Sequence, residues 1–92
     1  MSREQRASEI QAAIRTILFL EWDPIGVNHN PLLVDEYDSY IPSLYRILSG
    51  SRSAEELVNV LAEVERRLGM PSHSASELRS VAASLLTLNV KL

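Results

Sequence analysis

Residues 21–42, EWDPIGVNHNPLLVDEYDSYIP, constrain this chain more than any other stretch. They hold three of the four prolines, the only tryptophan, two of the three tyrosines, a glycine, two asparagines and one of the two histidines. Proline supplies no backbone N–H and biases the residue before it away from helical backbone, so this segment cannot be one regular helix. On both sides of it, apolar residues recur at spacings of three and four. The chain therefore reads as helices that must pack around a long irregular connection.

The first helix is expected to begin after Ser2, which with Gln5 forms an S-x-x-Q capping box. Ile10, Ala13, Ile14, Ile17 and Leu18 draw its apolar stripe, which ends near Leu20 or Glu21. Asp23-Pro24, Gly26, Asn28 and Asn30-Pro31 then mark a loop of about ten residues, longer than most helix connections. Ile25, Val27, Leu32 and Leu33 are expected to pin that loop to the core. A second helix is read from about Asp35 to Ser49, with Tyr37, Ile41, Leu44, Tyr45 and Leu48 on its apolar side. Pro42 leaves two versions open. Either a short turn precedes a helix capped by Asp38 or Ser39, with Pro42 in its first turn, or the helix is continuous and kinked. The third helix opens on Ser53-Ala54-Glu55-Glu56, buries Leu57, Leu61, Val64 and Leu68, and stops at Gly69, with Met70 and Pro71 after it. The fourth opens on Ser74-Ala75-Ser76-Glu77 and buries Leu78, Val81, Ala82, Leu85 and Leu86 to about Leu88, leaving a tail, Asn89 to Leu92. These readings give a single all-α domain over 1–92, a bundle of four short helices with a long ordered loop between helices 1 and 2.

Composition narrows the class of function. Apolar residues make up 46% of 92 residues but aromatics only 5%, so the core must be largely aliphatic. The absence of cysteine rules out disulfides and thiolate metal sites. The longest apolar run, 17–20, is too short to cross a bilayer, and the polar, mixed-charge start is unlike a signal peptide, so a cytoplasmic protein is expected with no membrane role. A net charge of -3, with nine basic residues scattered, argues against nucleic acid as a partner.

The chemistry concentrates in the same central stretch. Five acids (Glu21, Asp23, Asp35, Glu36 and Asp38) occur there with no Lys or Arg. Asp35 and Asp38, three apart, would share a helical face on which Glu21, Asp23 or His29 could complete an oxygen-rich cation site. The plainer reading makes Asp35 and Asp38 cap and dipole partners and lets Asp23 close a turn. No metal-ligand spacing favours the first. Ser72-His73-Ser74 places a histidine between serines, but a nucleophile needs a base oriented by a third group across the fold, and Ser74 reads as a helix cap. His29 sits between asparagines in a turn, as surface histidines do. No catalytic constellation and no cofactor is recognised. Trp22, Tyr37, Tyr40 and Tyr45 divide between core packing and an interface, where such side chains bury much area while a polar tip still bonds. Of the four, Tyr40 lies off the apolar stripe.

Trp22-Asp23-Pro24-Ile25-Gly26-Val27, followed by Asp35-Glu36-Tyr37-Asp38-Ser39-Tyr40-Ile41-Pro42, resembles a family of small bacterial proteins whose members carry a WDPIG motif and then a DEYDSYIP-like motif. That family is a domain of unknown function. The resemblance covers the middle of the chain closely and the flanking helices only as a pattern. It implies a compact helical fold and no assigned activity.

These observations point to a cytoplasmic protein-interaction module, with Trp22, Asp23, Asp35, Glu36, Asp38 and Tyr40 as binding residues and a basic protein as partner. An immunity-type inhibitor of a basic toxin is one form of it, by small size, acidity and lack of cysteine. Two alternatives are a divalent-metal- or small-molecule-binding protein built on the same carboxylates, and a structural protein that self-associates as a homo-oligomer.

Overall fold

The computed structural model describes residues 2–69 and 73–92. Helix α1 (Arg3–Ile17) begins at the expected capping box: the Ser2 hydroxyl accepts the Gln5 N–H at 3.1 Å and the Gln5 side chain accepts the Ser2 N–H at 3.0 Å. Ile10, Ile14 and Ile17 are its buried residues. The chain then continues without a break into a π turn, Leu18–Trp22, whose i→i+5 pattern ends with the Asp23 N–H donating to the Leu18 carbonyl at 2.9 Å. Had the α-helix run on, position 21 would have continued the stripe four residues after Ile17. The wider turn advances less per residue and brings Leu18, Phe19 and Trp22 inward, leaving Leu20 and Glu21 exposed. Asp23 halts it in left-handed backbone (φ 36°, ψ 60°) before Pro24.

Helix α2 (Ile41–Ser49) starts six residues later than Asp35, where the sequence pattern had put it. Of the two versions left open by Pro42, the first holds: a 3₁₀ turn, Asp38–Tyr40, leads into a helix with proline in its first turn, where the missing N–H costs nothing. The capping expectation fails, because Tyr40 stands at the N-cap and makes no side-chain cap bond. Asp35 and Asp38 therefore do not share a helical face, and α2 has no acid in its first turn.

Helix α3 (Ala54–Leu68) is capped by Ser53, which accepts the Glu56 N–H at 3.2 Å. Only half of the expected box forms, since the Glu56 carboxylate accepts the Ser51 hydroxyl at 2.6 Å instead. Gly69 closes α3 at φ 67°, a conformation that glycine reaches without a Cβ clash. Met70 and Pro71, expected to follow, and Ser72 lie outside the described residues. Helix α4 (Ala75–Leu86) carries a complete capping box between Ser74 and Glu77.

Among the described residues the structure holds four α-helices and no strand. α3 and α4 form the most extensive helix pair; α2 packs on α3 and α1, and α4 on α1 and the π turn. The molecule measures 39 × 31 × 19 Å, and its thin dimension is that of two helix layers at about 10 Å each. Between the layers lies one aliphatic core, including Ile14, Leu18, Leu44, Leu57, Leu61 and Leu85, with Trp22 and Tyr37 as its large rings. Each such side chain contributes roughly 1.5–3 kcal/mol by leaving water. The tail is held as well. Val90 is buried, the Arg6 guanidinium donates to the carbonyls of Asn89 and Lys91, and Arg52 donates to those of Leu48 and Leu86 at 2.9 and 2.6 Å. No helix among the described residues is long and apolar enough to cross a membrane.

Candidate functional site

The connection between α1 and α2 is built around Asp23. Its left-handed backbone turns the carboxylate back over the following residues. Oδ1 accepts the Val27 N–H at 2.8 Å and the Tyr37 hydroxyl at 2.7 Å, and Oδ2 accepts the Asn28 N–H at 3.0 Å. The same Tyr37 oxygen accepts the Ile25 N–H at 3.1 Å, so one hydroxyl ties the start of the loop to its end. Burial pushes the Asp23 carboxyl upward, but these donors more than offset it and leave it below the ordinary carboxylate range. Burial, and then the carboxylate beside it, hold the Tyr37 phenol well above its usual value. From Asp23 onward the backbone runs through successive i→i+3 turns: Gly26 to Asp23, Asn30 to Val27, Leu33 to Asn30, Glu36 to Leu33, Asp38 to Asp35 and Tyr40 to Tyr37, each at 3.0–3.1 Å. A loop with so many internal bonds is a fixed element rather than a tether.

The residues chosen from sequence part company on this scaffold. Trp22, grouped with the binding residues, is 1% exposed and belongs to the core, where its ring stands 5.3 Å from Tyr37 and edge-on to Tyr40 at 6.0 Å. Asp23 faces inward and closes the turn. Asp38 forms a two-pronged pair with Arg15, at 2.9 and 2.8 Å, which with burial opposing it raises the guanidinium further and joins the loop to α1. Tyr40 is half-buried against Trp22. Glu21 accepts the Ser84 hydroxyl of α4 at 2.6 Å. Asp35 and Glu36 alone of the five acids are exposed with no side-chain hydrogen bond to a described residue. The five acids do not converge. Among the described residues no group of three or more His, Asp or Glu side chains is placed to hold a metal ion.

What remains at the surface is a projecting turn over residues 30–36. Asn30 caps it, accepting the Leu32 N–H at 3.0 Å, and Pro31 fixes its first residue. Leu32, expected to anchor the loop, is instead 87% exposed; Ile25 and Val27 provide the anchorage, packed against the core. Val34, Asp35 and Glu36 are exposed beside it. The turn presents a leucine and a valine next to two exposed carboxylates, on a hydrogen-bonded base.

A second polar constellation went unread in the sequence. Glu65 of α3 is 3% exposed, and its Oε2 accepts the Trp22 indole N–H at 2.9 Å and lies 2.7 Å from His73 Nδ1. A hint was present: position 65 follows Leu61 by four and so falls on the apolar stripe, and a buried indole needs an acceptor. The pair orients His73 as catalytic carboxylates orient histidines, but among the described residues no hydroxyl bonds to the ring. Ser74 is committed to capping α4. The geometry is that of a buried strut joining the π turn, α3 and the start of α4.

Comparison with known proteins returned nothing similar: no family model matches the chain, and no curated protein or solved structure matches it.

Proposed function

We propose that this chain is a protein-interaction module, working in the cytoplasm, whose contact element is the 30–36 turn. The observation that carries the reading is Leu32, a large aliphatic side chain 87% exposed at the tip of a turn closed by the Leu33-to-Asn30 and Glu36-to-Leu33 backbone bonds. Burying that leucine in a recess would contribute about 1.5–3 kcal/mol, and the rigid base means little ordering entropy is lost on binding. Asp35 and Glu36 beside it select the partner: a protein face that sets Lys or Arg around an apolar recess. Carboxylates so placed raise encounter rate and reject acidic surfaces more than they deepen affinity. An immunity-type inhibitor that covers a basic toxin surface is one form of such a module.

A photo-crosslinking residue introduced at position 32 in producing cells tests the reading. It is expected to trap a protein with a basic contact face, and trapping should fall steeply when Asp35→Lys and Glu36→Lys are added, while the same crosslinker at exposed Arg79 on α4 traps nothing in common. Trapping that is indifferent to the charge reversal, or absent, overturns it.

A further inference from the structure

Residues 89–92 form a strap with no regular secondary structure, and few bonds hold it to the helices. Of the four, only Val90 is buried; Asn89, Lys91 and Leu92 are exposed. Among the described residues every hydrogen bond from the helices to the strap comes from one side chain, the Arg6 guanidinium, which donates to the carbonyls of Asn89 and Lys91. That side chain is itself 28% exposed, so water competes for its donors. The fixed body ends just before the strap. Arg52, in left-handed backbone (φ 54°), donates to the carbonyls of Leu48 and Leu86 and reaches that of Leu88 at 3.4 Å, so Asn89 is the first residue beyond its hold.

The strap fills only part of its trough. A hollow of about 460 Å³ opens between α1 and α2, against Ala7 and Ile41, and another of about 540 Å³ between the ends of α2 and α4, against Leu48 and Leu86; the two meet at Tyr45 and Leu92. A segment packed to the density of a protein interior leaves no such space beside it. We propose that this trough binds a non-helical peptide segment of another protein, and that the strap is its resident competitor. The strap shows what the site reads: two main-chain carbonyls two residues apart for Arg6, and an apolar side chain between them in the place of Val90. Main-chain bonds of this kind select for backbone form, and the apolar pocket for one side chain. A segment with an aromatic ring in the place of Leu92 would also fill the hollows. Because the strap is tethered beside the site, its effective concentration is high, and an incoming segment must outcompete it. No residue of the 30–36 turn lines either hollow, so the outcome leaves the reading of that turn untouched.

Two-dimensional amide NMR of the full chain, titrated with a capped peptide of the sequence of residues 88–92, tests this in wild type and in Val90→Asp, which releases the strap. The peptide is expected to shift the amides of Tyr45 and Leu48 in Val90→Asp, and to bind wild type about tenfold more weakly, because only the fraction with its strap open is competent. Replacing the last residue of the peptide by phenylalanine should tighten binding to both forms. Adding Arg6→Ala to Val90→Asp should abolish binding, since the carbonyls then have no donor. Circular dichroism and melting temperature check folding, and Val90→Ala takes the place of Val90→Asp should that variant unfold. No shift on α2 in the released variant, equal affinity for the released and wild-type forms, no gain from phenylalanine, or indifference to Arg6→Ala overturns the proposal.

Discussion

Glu65 and Asp23 are carboxylates that the fold draws away from water, and each accepts a bond from a ring side chain well separated in sequence, Trp22 and Tyr37. Glu65→Ala removes the acceptor of the buried Trp22 indole and the partner of His73, and also leaves a void. It should cost about 2–4 kcal/mol in urea denaturation, with Glu65→Gln, which retains an acceptor, costing less. Tyr37→Phe deletes the hydroxyl that bridges Asp23 and Ile25 and should cost about 1.5–3 kcal/mol, because one of the two bonds goes to a charged group. The pH dependence follows from the directions of the shifts. A phenol held above its usual value contributes stability that is present below about pH 10 and lost as pH rises beyond it. A carboxyl held below its usual value contributes stability present above about pH 3.8 and lost as pH falls further. Urea midpoints measured across pH should therefore fall off on both sides, and Tyr37→Phe should soften the alkaline fall. Asp35→Lys with Glu36→Lys, by contrast, should leave the melting temperature nearly unchanged, whereas Asp38→Lys breaks the half-exposed pair with Arg15 and should cost about 0.5–1 kcal/mol.

Among the elements, the tail is the least obvious in the sequence and the most dependent on two side chains. Asn89 to Leu92 has no periodicity, yet Arg6 and Arg52 hold its carbonyls and those just before it. Arg6→Ala with Arg52→Ala should raise amide hydrogen exchange across residues 88–92 while α1, α3 and α4 stay protected, as mass spectrometry would resolve. The helices themselves were legible because their starts are written in side-chain chemistry: Ser2, Ser53 and Ser74 cap α1, α3 and α4 as their spacing to Gln5, Glu56 and Glu77 implies. α2 lacked such a signal. With Tyr40 at its N-cap, its start is set by Pro42 and by the Arg15–Asp38 pair, which joins residues 23 apart and so leaves no local trace. For the same reason the candidate surface was only half legible. The segment could be singled out by composition, but which of its acids turn inward depends on the left-handed backbone at Asp23 and on a tyrosine fourteen residues away. Leu32 shows the limit most plainly, because an apolar residue in a loop has no periodicity to say which way it faces.

At the scale of the whole molecule, two helix layers around one aliphatic core, joined by mostly short connections, make a topology rich in local contacts. Such chains fold in microseconds to milliseconds. Stopped-flow refolding followed by circular dichroism and by Trp22 emission should give one coincident phase, because the indole reaches Glu65 only when the layers close. The π turn at the end of α1 bears on how sequences of this kind can vary. It holds one residue more per turn than the helix before it, so it acts as a phase correction between the stripe of Ile10, Ile14 and Ile17 and the side of Trp22. Removing exposed Leu20 deletes no buried contact and would bring the tryptophan to four residues after Ile17, where an ordinary helix continues the stripe, so the chain downstream would keep its facing. Length there is thus nearly as free as identity: substitutions at position 20 are cheap, and a one-residue deletion would be absorbed by the wide turn tightening to a regular one with the tryptophan still facing inward.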